Sequence, residues 1–150
     1  MGHTYSHVLL QVIFGVKDRQ SGFCEKMRSK LLRHLRGIAD NLSVVTVAHN
    51  AVDDHVHSLL GVKPSLAPSD VVNKLKANSS RWMHQSFPSM RSFAWQTGSS
   101  AFSVSPSAVP KVTEYIKTQA SHHRRISYRE EVEAFLKRHG VEFDPKNFGR

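Results

Sequence analysis

The spacing of apolar and polar residues divides the first half of the chain into one helix and three strands. Residues 4–16 are rich in Val, Leu, Ile and Phe and alternate imperfectly, which predicts a largely buried strand. From Glu25 to Leu42, apolar residues recur at helical spacing while the arginines occupy other positions, which predicts a helix with one face on the core. Strands are predicted at 43–51 and 55–62, joined by a tight turn at 52–54.

The second half of the chain continues with helices and short strands. The pattern predicts a helix from a cap at Ser69 to Ser86, with Val71, Leu75 and Trp82 as its buried stripe, a loop at 87–92, and short strands at 93–96 and 101–104. Ser105 or Ser107 is predicted to cap a helix that contains Tyr115 and packs through Val109, Val112, Ile116 and Ala120. The last helix is predicted to begin with a capping box at Ser127 and Glu130 and to end at Gly140.

These elements predict a single domain that spans residues 1–150. No internal repeat, low-complexity tract or linker divides the sequence, and its length suits one core. The predicted class is α/β, more narrowly α+β: a mostly antiparallel sheet of four to five strands with helices packed on it, broadly ferredoxin-like.

Composition favours a polyanionic partner. The chain carries 21 Lys and Arg against 12 Asp and Glu, a formal net charge of +9, and ten further histidines. The electric field of this positive charge concentrates nucleic acid at the surface, although charge alone is also compatible with a merely soluble basic protein. The single cysteine, Cys24, cannot form an internal disulfide, which fits a reducing cytosol, and the apolar run 8–16 is too short to cross a membrane.

Two short residue pairs carry the candidate chemistry. His55 and His57 lie two apart in a predicted strand, so both imidazoles project from the same face. Tyr115 and Gln119 lie four apart in a predicted helix and also share a face. Brought together, the two pairs would place two imidazoles and a carboxamide oxygen around one point, beside a phenol. Each pair alone is commonplace and is compatible with a purely structural role.

The sequence around these pairs closely resembles that of the single-tyrosine HUH transposases of the insertion-sequence 200/605 group. The similarity runs from about Tyr5 to Phe143 in the order and spacing of that family. The chain departs from the usual pattern at 98–100, where Gly-Ser-Ser stands in place of an expected Gly-Tyr pair, and this affects the expected DNA contacts there. The segments that carry the resemblance are Asp53–Leu60, Leu75–Trp82, Phe93–Gln96, Ala101–Ser105 and Tyr115–His123.

The resemblance implies an enzyme that cuts and rejoins single-stranded DNA. Tyr115 is the implied nucleophile, which would form a 5′-phosphotyrosine and free a 3′-OH that can later reseal the strand without a nucleotide cofactor. His55, His57 and Gln119 are the implied ligands of a divalent metal, Mg²⁺ or Mn²⁺. The family also implies hairpin-bearing DNA as substrate and a homodimer in which the tyrosine helix of one subunit completes the site of the other.

Further residues are candidates for contacts with DNA. The tryptophans Trp82 and Trp95 are expected in the core rather than as stacking platforms. The roles of Asp53, Asp54, His122 and His123 stay open at this stage. Phosphate contacts are predicted for Lys74, Arg81, Arg124 and Arg125.

Three alternatives remain for the function. A domesticated transposase associated with repetitive palindromes would share the chemistry and differ in role. A non-catalytic nucleic-acid-binding module on the same scaffold would explain the charge but not the four-residue constellation. A replication-initiator nickase would share the metal chemistry, but such enzymes usually have further domains.

Overall fold

Four antiparallel strands form the sheet. The computed structural model describes residues 2–17, 23–119 and 126–147. It places the strands at Val8–Gly15 (β1), Val45–Val52 (β2), His55–Val62 (β3) and Ser100–Val104 (β4). Their order across the sheet is β2-β3-β1-β4, so β3 and β1 are central. The predicted turn between β2 and β3 is present and contains only Asp53 and Asp54.

Helices cover both faces of this sheet. They span Glu25–Asn41 (α1), Pro68–Ser86 (α2), Val109–Lys117 (α3) and Tyr128–Arg138 (α4), with short 3-10 turns at Pro88–Met90, Pro106–Ala108 and Pro145–Asn147. The predicted α+β class with a mostly antiparallel sheet is therefore confirmed. None of the helices within the described ranges has the length and apolar character needed to span a bilayer.

The two faces of the sheet have different cores. On one face, side chains such as Val12, Phe14 and Leu60 pack with α1 and α2 into the main hydrophobic cluster. Alternate residues point to the opposite face, where Leu59 packs with Ile116 of α3 and Ile13 packs with α4. Because strand residues two apart share a face, His55 and His57 lie on the side of α3 and α4.

Several local predictions were wrong at the level of single elements. Residues 93–96 form no strand, because only Trp95 makes an isolated bridge, with Val16. Helix α2 begins at Pro68 with Ala67 as its cap, and Ser69 lies inside the helix, because proline is favoured at the first helical position, where its N–H would have no partner in the helix. Trp82 is only partly buried and stacks on His34, whereas its neighbour Met83 fills the core.

The N-terminal caps of α3 and α4, the two helices on the face of the histidine pair, also differ from each other. Before α3, the hydroxyls of Ser105 and Ser107 lie 3.0 Å apart and neither caps the helix, which follows a 3-10 turn. At α4 the prediction is confirmed, because Ser127 Oγ accepts a hydrogen bond of 3.2 Å from the Glu130 N–H. Gly140 follows that helix with φ +67°, the left-handed conformation that favours glycine.

Candidate metal and nucleophile site

The histidine pair forms the floor of a buried polar cluster. Both side chains have no exposed surface, and their ring centroids lie 5.1 Å apart. Their strand, β3, is central in the sheet, with β1 on one side and β2 on the other. Ladder hydrogen bonds on both sides therefore fix the backbone from which the two imidazoles project.

Two neighbours orient the His55 ring. Asp54 Oδ1 lies 2.7 Å from His55 Nδ1, which leaves Nε2 facing the cluster. The Tyr128 ring stacks on the other side with a centroid distance of 4.5 Å. Tyr128 in turn packs against Gly15, where an added Cβ would lie 2.7 Å from the Tyr128 ring. Glycine at this position is thus a condition for the observed packing of His55.

Glu131 of α4 supplies a carboxylate to the histidine pair. Its side chain is 1% exposed, and its Oε1 lies 2.6 Å from His57 Nε2 and 3.8 Å from His55 Nε2. One ligand atom from each of the three residues lies within 4.8 Å of the other two. Ligands bound to one ion at about 2.1 Å and at right angles are about 3 Å apart, a separation that lies between the two observed ones. Two imidazoles and a carboxylate are a donor set that fits Mn²⁺ or another divalent ion.

The Tyr115 hydroxyl is hydrogen-bonded to the same carboxylate. It donates to Glu131 Oε2 at 2.6 Å, while the Tyr115 and His57 ring centroids are 6.0 Å apart. Burial, followed by this hydrogen bond and the Glu131 charge, raises the pKa of the Tyr115 phenol above its usual range. A hydrogen bond from Gln119 and the charge of Arg138 lower the pKa and only partly offset that rise.

Gln119 lies beyond the end of α3 but still faces Tyr115. Its side chain has no exposed surface, and its Nε2 donates a 3.1 Å hydrogen bond to the Tyr115 carbonyl. The predicted proximity of these two residues is therefore observed. Whether Gln119 also binds a metal through its carboxamide oxygen stays a prediction.

The residues predicted to contact DNA are separated from this cluster. Lys74 and Arg81 are exposed on α2, which packs on the opposite face of the sheet. Their contact with phosphate stays a prediction, and it would require DNA on that second face. Arg124, Arg125, His122 and His123 lie outside the described residues. Trp95 is in the core as expected, with its Nε1 donating to Ser79 Oγ at 3.0 Å.

The sequence-based interpretation missed Glu131 and Tyr128. Both lie in α4, far along the chain from the histidine pair, and only tertiary packing brings them together. One signal was available for Glu131, because it is four residues before Phe135 and adjacent to Val132, on the apolar stripe of its helix. A carboxylate on a buried stripe requires a polar partner, and the Glu131 carboxylate contacts the His57 imidazole and the Tyr115 phenol.

Comparisons with known proteins found similarity to a protein family and to solved structures. A family model described as "Transposase IS200 like" matches residues 4–119. A solved structure from Deinococcus radiodurans R1, described provisionally as a transposase, is 27% identical with a TM-score of 0.66, covering 79% of this chain and 96% of its own. A tyrosine transposase associated with REP sequences, solved with a REP hairpin, is 11% identical with a TM-score of 0.62, covering 84% and 76%. No curated protein shows significant similarity to the chain.

Proposed function

The chain belongs to the family of IS200-like transposases, and from this premise we propose that it is a metal-dependent endonuclease and strand transferase for single-stranded DNA. The observation that carries the proposal is the double role of the Glu131 carboxylate. One of its oxygens lies beside the histidine pair, and the other accepts the hydrogen bond of the Tyr115 hydroxyl at 2.6 Å. The proposed metal ligands and the proposed nucleophile therefore both contact one buried carboxylate, that of Glu131.

The Tyr115 phenol is the proposed nucleophile. Its oxygen attacks the phosphorus, the bond to the 3′-oxygen breaks, and the DNA is left with a 5′-phosphotyrosine and a free 3′-OH. Glu131 Oε2 would take the phenol proton, and the leaving 3′-oxygen would be protonated by water, to which Glu131 then returns the phenol proton. Because the phosphotyrosine keeps the energy of the broken ester, a 3′-OH can attack it in the reverse reaction and rejoin the strand.

His55, His57 and Glu131 are the proposed ligands of a divalent ion, Mg²⁺ or Mn²⁺, with Gln119 as a further candidate. When bound, such an ion supplies positive charge to the phosphate oxygens and favours the phenolate form of Tyr115. The Asp54 carboxylate and the Tyr128 ring would hold His55 in its ligating orientation. The burial of His55, His57 and Glu131 limits the access of water to the proposed ion site.

We further propose that the substrate carries a hairpin. The REP-associated transposase with the same fold was solved with a REP hairpin, and the net charge of +9 favours contact with DNA. A homodimer is part of the same proposal, and so is action in the cytoplasm, where a reducing environment suits the single Cys24. A domesticated repeat-associated enzyme would carry out the same chemistry.

Covalent trapping tests the proposed reaction. Wild-type protein incubated with labelled single-stranded, hairpin-bearing DNA and Mn²⁺ is expected to form an adduct that survives denaturing electrophoresis. Tyr115→Phe removes only the hydroxyl, so it should abolish the adduct and leave DNA binding nearly intact. An exposed tyrosine offers the matched control, since Tyr5→Phe should keep wild-type adduct formation. Adduct formation by Tyr115→Phe would place the nucleophile elsewhere.

A further inference from the structure

A cavity opens beside the Tyr115 hydroxyl, between β1, α3 and α4. Its volume is about 370 Å³, within the range of about 300–1,000 Å³ that is usual for small-molecule sites. Most of its wall is apolar, and Phe135 adds an aromatic ring to it. Tyr115 and Glu131 line one side, so the cavity adjoins the site of the proposed reaction. Polar and charged side chains of its lining include Gln11, Lys111 and Arg138.

The wall of the cavity includes a buried amide, that of Gln11. Gln11 is 3% exposed in the central strand β1, and its Nε2 has no hydrogen-bond acceptor among the described residues. Burying an unsatisfied amide is costly, and apolar residues are the usual occupants of such a strand position. Gln11 is also placed two residues before Ile13, which pairs with His57 across the sheet. Gln11 therefore brings a buried amide to the wall of a cavity that Tyr115 also lines.

The mouth of the cavity is cationic. Lys111 of α3 and Arg138 of α4 are exposed and both line it. Arg138 lies over the Phe135 ring, with its Cζ 5.6 Å from the centroid, so its guanidinium is held at this edge. Its charge also acts on the Tyr115 phenol. An anion bound by these two residues would thus be near the phosphate that the nucleophile attacks.

We propose that this cavity binds one unpaired nucleobase of the DNA strand, adjacent to the phosphodiester that Tyr115 cleaves. A base is a flat body whose faces suit the apolar wall of the cavity, and its edge presents carbonyl oxygens or ring nitrogens that can accept a hydrogen bond from Gln11. Lys111 and Arg138 would bind the phosphate attached to that base. Gln11 is then a specificity-determining residue. This inference rests on the proposed function, because it names the part of the substrate that the site holds.

A pair of probes that differ by one base tests the inference. Binding is measured by fluorescence anisotropy on the Tyr115→Phe protein, which cannot form an adduct, with two 15-mer strands. One strand consists only of abasic units, and the other carries a single central thymidine. Because both strands have the same number of phosphates, their ratio of dissociation constants isolates the contribution of the base. Apolar contact and one hydrogen bond predict tighter binding of the thymidine strand by about tenfold.

Two variants alter the cavity in different ways, each made in the same Tyr115→Phe background. Gln11→Leu removes the amide and keeps its approximate size, and it should reduce the preference for thymidine about three- to tenfold. Ala134→Trp places a large ring over the exposed mouth and should remove the preference. The matched control is Gln85→Leu at an exposed position on α2, which should keep the ratio of dissociation constants of the Tyr115→Phe parent. Thermal melts show which variants are folded.

The outcomes separate the inference from the proposed function. Loss of the thymidine preference in a folded Gln11→Leu or Ala134→Trp protein supports the base-binding cavity. Equal binding of the two strands by the parent protein, or an unchanged preference in both cavity variants, overturns it. Neither result depends on cleavage, because adduct formation by the wild-type protein is measured separately. Absence of any adduct with single-stranded DNA would overturn the proposed function itself.

Discussion

At the scale of single residues, Glu131 connects the two halves of the candidate site. Its two oxygens face different partners, one the His55 and His57 pair and the other the Tyr115 hydroxyl. A buried carboxylate with only one of these partners would be costly, because its charge would be poorly compensated. The cluster therefore depends on all four side chains, and the loss of one is expected to change the behaviour of the others.

Removal of the Glu131 charge should weaken metal binding more than any change at Gln119. Glu131→Gln keeps the size of the side chain but not its charge, so we expect the affinity for Mn²⁺ to fall by more than about tenfold, since even outer-sphere partners are worth about 10–100-fold. Calorimetric titration of Mn²⁺ measures this directly. Glu133→Gln is the matched control, because Glu133 is in the same helix and pairs only with Arg129 among the described contacts. Unchanged affinity in Glu131→Gln together with a large loss in Gln119→Ala would identify the amide as the third ligand.

Gln11 should reveal a conflict between stability and function. Because its Nε2 has no partner in the described part of the chain, Gln11→Leu is expected to raise the free energy of unfolding by about 1 kcal/mol. Urea unfolding, followed by circular dichroism, measures the change. Gln85→Leu at its exposed site should stay within about 0.5 kcal/mol of wild type. A Gln11→Leu protein that is less stable than wild type would show that the amide is satisfied in the folded protein.

Three of the four residues of the candidate site could be proposed from the sequence, but Glu131 could not. His55, His57 and Tyr115 were identified from their spacing within one strand and one helix, together with the family resemblance. Glu131 could not be placed in this way, because periodicity describes contacts within an element and not the packing of α4 against the sheet. For the same reason, the stacking of Tyr128 on His55 has no signature in the local sequence.

At the scale of elements, one close contact holds α4 on the sheet. Gly15 at the end of β1 leaves room for the Tyr128 ring, and Tyr128 begins the helix that carries Glu131. The strands and helices were largely predictable, since strong apolar periodicity covers most of them. The exceptions are short or depend on local chemistry: residues 93–96 form only a bridge, and α2 begins at Pro68 without the expected serine cap.

Two glycine substitutions should therefore have opposite effects on stability. A Cβ at position 15 would lie 2.7 Å from the Tyr128 ring, so Gly15→Ala is expected to cost about 1–3 kcal/mol. Gly37 is an interior position of α1 where an added Cβ meets nothing within 4 Å, so Gly37→Ala should stabilise the protein by about 1 kcal/mol. Denaturant unfolding of both variants measures the difference. A Gly15→Ala protein as stable as wild type would mean that the contact with Tyr128 relaxes without cost.

At the scale of the whole molecule, the sheet separates two candidate surfaces. The candidate metal and nucleophile site and the adjoining cavity lie on the face of α3 and α4, whereas the predicted phosphate contacts Lys74 and Arg81 lie on the face of α2. A substrate that reaches both must pass around an edge of the sheet, as a strand joined to a hairpin could. The fold class was predictable from the order of elements, but this separation was not, because it depends on which face each helix covers.

The described chain also bears on whether two subunits share a site. In the family pattern that the sequence resembles, the tyrosine helix completes the site of the partner, yet here Tyr115 already reaches Glu131 and the histidine pair of its own chain. A mixture of inactive His57→Ala and inactive Tyr115→Phe proteins should therefore stay inactive in the adduct assay. Each subunit would then lack one part of the site that its own residues form. Subunit exchange is verified with two different tags on the variants. Restored cleavage after exchange would instead mean that Tyr115 acts in the site of the partner.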